Sequence, residues 1–278
     1  MAIQELRHRY SLSILLKVSG MARSSFYYQT KQLKNADKYK IEKKLISEIF
    51  HQNKGRYGYR RITLELRNQG VILNHKTVSK LMKNIGLICK VRMKKYRSYK
   101  GEIGRIAPNI LERDFKASKP NQKWATDVTE FSLFGTKSYL SPIIDMYNGE
   151  IVSYNITYRP TLDLVMDMVD CAFETIPNNT NLILHSDQGW HYQHPNYRKK
   201  LKNKGVNQSM SRKGNCLDNA VIENFFGLLK SELLYLQNFN SIEHFHLEVK
   251  DYIEYYNTKR IKSNLKGLSP VQYRTQSI

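Results

Sequence analysis

Acidic residues are scarce in the front of this chain. Residues 1 to 120 carry eight of them against 28 Lys and Arg, whereas residues 121 to 278 hold 16 against 17. Nearly all of the net charge of +21 therefore lies in the front, an electrostatic handle for a polyanion, while the back is balanced as an enzyme core can be. Long apolar runs, a convincing signal peptide and a lipidation signal are also missing, so a polybasic membrane-surface protein is not supported. The three cysteines, Cys89, Cys171 and Cys216, are odd in number and lack metal-type spacing. They read as reduced cytoplasmic thiols, and His191 and His194 are too isolated a pair to argue for zinc. Neither repeats nor sustained heptads occur, so an oligomerising zipper would have to lie outside this sequence. At 278 residues the chain is long enough for two or more domains.

What is present centres on Asn181 to Lys230. An apolar strand, Leu182-Ile183-Leu184, runs through His185 and Ser186 into Asp187, and Gly189 follows where the backbone can turn. Asp187 is thus expected at a strand's carboxyl end. A helix is expected from Asp218, read as its N-cap, to Leu234, with Val221, Phe225 and Leu228 as one apolar line and Ile222, Phe226, Leu229 and Leu233 as the next. Asn219, Glu223 and Lys230 fall on a separate polar face. A third acid, Asp127, lies within a strand-like stretch from Trp124 to Phe131. Burying it there costs several kcal/mol unless a positive group meets it. A divalent metal shared with Asp187 and Glu223 is one explanation: magnesium prefers oxygen ligands, and two ions about 3.5–4 Å apart can serve both oxygens of an in-line displacement at phosphorus. A solvated charge or a helix cap is the commoner fate of any single acid.

Thirty-five residues separate Asp187 from Glu223. The set Asp127, Asp187 and Glu223, with Lys230 seven residues further on, resembles the DDE catalytic core of retroviral integrases and many bacterial transposases. Trp124-Ala125-Thr126-Asp127-Val128-Thr129, His185-Ser186-Asp187-Gln188-Gly189 and Cys216-Leu217-Asp218-Asn219-Ala220 leading to Glu223-Asn224-Phe225-Phe226 resemble the second-reading-frame product of the insertion-sequence-three family of transposases. The resemblance covers nearly the whole chain. It implies a ribonuclease-H-like core, metal-dependent hydrolysis and strand transfer at element ends, and catalytic, metal-binding roles for Asp127, Asp187 and Glu223. It further implies magnesium, with manganese as a substitute and two ions in all, and Lys230 on DNA. His185 and Asn219 are expected to support the acids without binding metal. Double-stranded DNA of element ends and target, a homo-oligomer on that DNA and an upstream-frame protein or fusion are the expected partners, with no membrane.

The front offers two helix-turn-helix candidates, in residues 1–35 and 40–89. In the first, Ser11 to Tyr28 reads as helix, Gly20 turn and helix, exposing Arg23; an ordinary helical hairpin is the alternative. In the second, Arg60 to Asn68 and His75 to Asn84 form the pair, Asn74 caps, and Gly86 ends it. Leu64, Ile72, Val78 and Leu81 are expected inside, with Lys76, Lys80 and Lys83 left for DNA. Gly55-Arg56-Tyr57-Gly58-Tyr59-Arg60-Arg61 resembles the family word that opens this segment. Residues 90–120 form a basic linker in which Arg92, Lys94, Lys95 and Arg97, interleaved with Tyr96 and Tyr99, track phosphates or stay solvated.

From 121 to 278 a mixed α/β core is expected. The Asp127 strand, Lys137 to Met146 and Ile151 to Tyr158 make an antiparallel meander, with Asn148-Gly149 as hairpin signal and Pro142 as a blemish. Leu162 to Ile176 crosses over to the Asp187 strand. No acid occurs from Gln188 through Leu217, so Lys199, Lys200, Arg212 and Lys213 are DNA-contact candidates, and Trp190, His191 and Tyr192 could stack on or wedge a splayed end. In the tail, Phe245 to Tyr256 is helical, and Lys259, Arg260 and Lys262 are expected as further phosphate contacts. A DNA transposase is the leading reading. A non-catalytic DNA-binding regulator and a ribonuclease-H-type nuclease are the alternatives.

Overall fold

The computed structural model describes residues 2–34, 37–89, 106–212 and 216–276. Three helices open the chain, α1 (Ala2–Leu6), α2 (Leu12–Ser19) and α3 (Arg23–Lys34). Gly20, at φ +65°, closes α2 in the left-handed region that favours glycine. A second unit follows, α4 (Lys40–Gln52), α5 (Tyr59–Asn68) and α6 (His75–Asn84), where Asn74 caps α6 by accepting the Lys76 N–H. Its core joins Ile46, Ile49, Phe50, Ile62, Leu66, Val78, Leu81 and Met82, and takes in Ile261 from far along the chain. Ile72, expected inside, is 82% exposed. The turn is extended there, so Val71 and Leu73 face the core and the residue between them faces out.

The remainder is built on one sheet of β1 (Lys123–Thr126), β2 (Thr129–Leu133), β3 (Thr136–Asp145), β4 (Ile151–Thr157), β5 (Ile183–Ser186) and β6 (Asn207–Met210). β1 and β2 are successive stretches of one line along β3, since Thr126 pairs with Ile143 and Thr129 with Leu140 in unbroken register. Between them, Asp127 lies opposite Pro142, which has no N–H to offer, and the Val128 N–H turns to the Asp127 carboxylate at 2.7 Å. The ladder opens at the acid. Across the sheet the order is β4, β3, β1 with β2, β5, β6; the first three lines are antiparallel, and β1, β5 and β6 are parallel. The crossover from β4 to β5 is α7 (Leu162–Glu174), which buries Leu164, Val165, Met168, Val169 and Ala172 as its periodicity predicts. Next come α8 (Trp190–Gln193), α9 (Pro195–Lys204), α10 (Ala220–Leu229), α11 (Ile242–Thr258) and α12 (Pro270–Gln276).

Alternation along β1 separates two layers. Trp124 packs with α7 and α9, while Ala125 packs with Ile222, Phe225 and Leu229 of α10 and with α11. A meander, a crossover helix and parallel strands with helices on both faces make the ribonuclease-H-like fold. α10 starts later than expected, after a 3-10 turn at Cys216–Asn219, and passes into a π turn at Lys230–Leu234. Asp218 is not its N-cap: the carboxylate, 1% exposed, accepts instead from Arg212 and Arg113, both at 2.8 Å to Nε. Lys259 is exposed, but the other two tail cations are otherwise employed. Arg260 is buried against Glu232, and the Lys262 ammonium donates to the Gly149 carbonyl and the Tyr256 hydroxyl. Burial first, then Arg260 and Arg61, brings Lys262 down to about 7, so it makes a poor phosphate contact.

Candidate active site

Parallel pairing brings two acids together. Ala125 of β1 pairs with His185 of β5, and two residues beyond each lie Asp127 and Asp187, side by side at the same end of the sheet. The Asp187 carboxylate accepts the Gly189 N–H at 2.8 Å, which fixes the turn that the sequence signals. Glu223 comes from the first turn of α10, the helix packed on the Ala125 face. Its charge reaches Asp127. Burial, then Asp187, then Glu223 push the Asp127 carboxyl well above the usual 3.8, against the Val128 N–H and the Lys230 ammonium. Burial likewise raises Asp187.

Lys230, half-buried, lies 5.6 Å over the Phe131 ring; burial lowers its pKa and Asp127 raises it. The Lys230 ammonium thus acts on Asp127, where Asp187 and Glu223 add like charge. Among the described residues, no three His, Cys, Asp or Glu side chains form a finished metal cage. The donor set consists of carboxylate oxygens alone, which suits a hard divalent cation and not zinc or copper.

Tyr192 forms the floor. Its hydroxyl is 3.4 Å from Thr126 Oγ1, and burial, Asp127 and Asp187 all drive its pKa up. Trp190 is 54% exposed and stacks on His191 at 3.9 Å between centroids; His191 Nε2–H donates to the Pro160 carbonyl at 3.0 Å. His191 is also the imidazole whose charge lowers the Asp187 pKa.

Of the two expected supporting residues, His185 is turned to Ser209. That hydroxyl already accepts the Ile110 and Leu111 N–H groups, so it donates to His185 Nδ1 at 2.9 Å. Asn219 is 5% exposed, one turn before Glu223, and its Oδ1 is buried without a hydrogen-bond partner among the described residues.

Candidate DNA contacts divide by place. Lys76, Lys80 and Lys83 lie exposed along one side of α6, opposite buried Val78 and Leu81, and Arg23 is exposed at the start of α3. Lys199 and Lys200 lie on α9, in the α7 layer of the sheet and not the α10 layer, and Lys200 pairs with Asp170. Arg212 is exposed but tethered to Asp218. Arg92, Lys94, Lys95, Arg97 and Lys213 lie outside the described residues. Sequence reasoning missed Arg113, which reaches Asp218 from a loop where Glu112 and Arg113 both take positive φ; and of the three rings expected to stack on or wedge a splayed end, only Trp190 is exposed, since Tyr192 and His191 are buried. Arg113 gave no local signal, since its partner lies 105 residues away.

Two models of an integrase core domain match residues 117–216 and 223–278, and a model of an HTH-like domain matches residues 36–95. The chain is 52% identical over 275 residues, 99% of its length and 97% of the relative's, to the putative transposase InsK for insertion sequence element IS150 of Escherichia coli K12. It is 39% identical over 98% of its length to the probable transposase for insertion sequence element IS1353 of Shigella flexneri, but that match covers only 54% of the relative. Transposase InsF for insertion sequence IS3A of Escherichia coli K12 is 33% identical over 99% of this chain and 98% of its own.

Proposed function

The chain belongs to the IS3 family of bacterial insertion-sequence DNA transposases, and from that premise we propose that Asp127, Asp187 and Glu223 are its catalytic and metal-binding residues. The observation that carries this is the meeting of two carboxylates at one sheet end with the charge of a third from α10. The three carboxylates would hold magnesium, or manganese in its place. Two such ions would activate the attacking oxygen and offset charge on the leaving one.

The chain's residues do the rest. Lys230 holds a non-bridging phosphate oxygen beside Asp127. Trp190, with His191 behind it, supports the base next to the cut. Water attacks phosphorus, the P–O3′ bond breaks, and a 3′ hydroxyl and a 5′ phosphate result. That hydroxyl then attacks a phosphodiester of a second strand, where one P–O bond replaces another and no covalent enzyme intermediate is needed.

Duplex DNA of the element end lies along α6 through Lys76, Lys80 and Lys83, with Arg23, Arg92, Lys94, Lys95, Arg97, Lys199, Lys200, Arg212 and Lys213 as further contacts. The protein works in the cytoplasm on nucleoid DNA, as a homo-oligomer and fused to an upstream frame. The IS1353 relative, with nearly half its length outside the match, supports such an extension.

The test is cleavage and strand transfer on labelled element-end DNA with magnesium, for wild type and Glu223→Gln, in the lone chain and in the fused one. Products that vanish in the variant while DNA binding persists are expected. Binding without cleavage in both forms would instead indicate a regulator that occupies the ends.

A further inference from the structure

Glu232 lies in the π turn that continues α10, nine residues beyond Glu223 and two beyond Lys230, and is 1% exposed. Its carboxylate accepts from Arg260 Nε at 2.8 Å and Nη2 at 2.7 Å, from the Tyr252 hydroxyl at 3.1 Å and from Arg61 Nη1 at 3.2 Å. Its carbonyl accepts from Arg56 Nε at 3.0 Å. Arg56 and Arg61 belong to the helix-turn-helix unit, so two of its cations end on the segment that also carries the third catalytic acid. Around this node the Tyr57 hydroxyl donates to the Lys259 carbonyl and accepts the Ile261 N–H, and Asn68 donates to the Gly267 carbonyl. Arg56 lies between the rings of Tyr252 and Tyr255, at 5.3 and 4.8 Å.

Several links set the separation of the two units together: Arg61 Nη1 on the Glu232 carboxylate, which Arg260 holds in bidentate geometry, Arg56 Nε on the Glu232 carbonyl, and the Tyr57 and Asn68 bonds to the tail, so that sliding one unit past the other would break them all. We propose that Arg56 and Arg61, acting through Glu232, are positioning residues that fix the reach from DNA held on α6 to the phosphate cut at Asp127, Asp187 and Glu223. The inference rests on the reading of those acids as catalytic. It makes this contact a ruler: recognition and cutting stay a set number of base pairs apart because the two units move as one.

The experiment maps cleavage at nucleotide resolution on end-labelled element-end DNA, in whichever form of the chain cleaves, for wild type, Arg61→Ala, Arg61→Lys and the Arg56→Ala, Arg61→Ala pair. The wild type should cut at one phosphate. The double variant should spread its cuts over neighbouring phosphates and lose on the order of 10²-fold at the original one, as misplaced reacting groups do. Its footprint on the recognised sequence should not move, and Arg61→Lys should recover the single cut in part. Cutting at one position at any lower rate, or unchanged cutting, overturns the ruler, since a role in stability alone does not move the cut. Should the double variant not fold by circular dichroism, Arg61→Ala, which removes only the longest arm of the node, decides by the same criterion. A wild type that never cuts sinks the catalytic reading and the ruler with it; a wild type that cuts, with variants that do not scatter, sinks the ruler alone.

Discussion

The carboxylates at Glu232 and those at the sheet end are held in opposite ways. At Glu232 burial raises the carboxyl's pKa, but the guanidiniums of Arg260 and Arg61 outweigh it, and the group ends below its ordinary value. Asp218 is held still lower, by Arg212 first and Arg113 with it. At the sheet end Asp127 and Asp187 have burial and each other, and both are raised. Lys230 is the cation whose charge acts on Asp127 there. On the proposed function, the raised pair is where an external cation would bind.

The comparison can be broken most directly at the sheet end. Asp127→Asn should cost on the order of 10²–10³-fold in cleavage or more, by analogy with the loss of a main transition-state stabiliser. The same change should raise the metal-free melting temperature, because it removes a raised carboxyl. The sign follows from linkage. The folded pKa values of Asp127 and Asp187 lie above the unfolded 3.8, so folding takes up protons, and this contribution is fully present below the unfolded value and lost as pH rises through the folded ones. Magnesium should restore stability at neutral pH in the wild type and much less in Asp127→Asn, as differential scanning fluorimetry at several metal concentrations would record. A lower metal-free melting temperature in the variant would count against the contrast.

The Glu232 end should respond in reverse. Glu232→Ala leaves Arg260 buried without its partner and should cost about 3–5 kcal/mol, read from urea unfolding. With its folded pKa depressed, Glu232 contributes stability that is present above the unfolded 4.5 and lost as pH falls through the folded value, so acid should erode wild-type stability by this route. Asp218→Asn should be milder, about 1–3 kcal/mol, since the two arginines it frees are partly exposed. The smallest effects belong to α6. Each of Lys76→Ala, Lys80→Ala and Lys83→Ala should weaken DNA binding across sequences and reduce the slope of log K against log salt by about 1, in fluorescence anisotropy titrations.

Local grammar made the strand ends, the hairpin at Asn148-Gly149 and the inward stripe of α7 readable, because each depends on residues within a few positions of one another. Asp187 could be placed at a strand end because Gly189 advertises the turn. Partnerships across the chain were hidden. Asp218 looked like a cap because the 3-10 turn that precedes α10 and the reach of Arg113 leave no local trace. Arg260 looked like a phosphate contact because its charge shows in the sequence and the burial of Glu232, 28 residues earlier, does not. Asp127 was expected mid-strand and lies in the line of one, but the gap in the ladder depends on Pro142, opposite it in space and fifteen residues away in the chain.

Ile261, 2% exposed, fills the core of the helix-turn-helix unit from the segment after α11, and its N–H completes the bonding of Tyr57. A ribosome makes α4 to α6 long before it reaches that residue. The unit that holds DNA therefore stays without part of its interior until the segment after α11 has emerged, at about 5–20 residues per second. A message broken before codon 261 yields a product with a gap under α5. Such a fragment should be slow to occupy an element end.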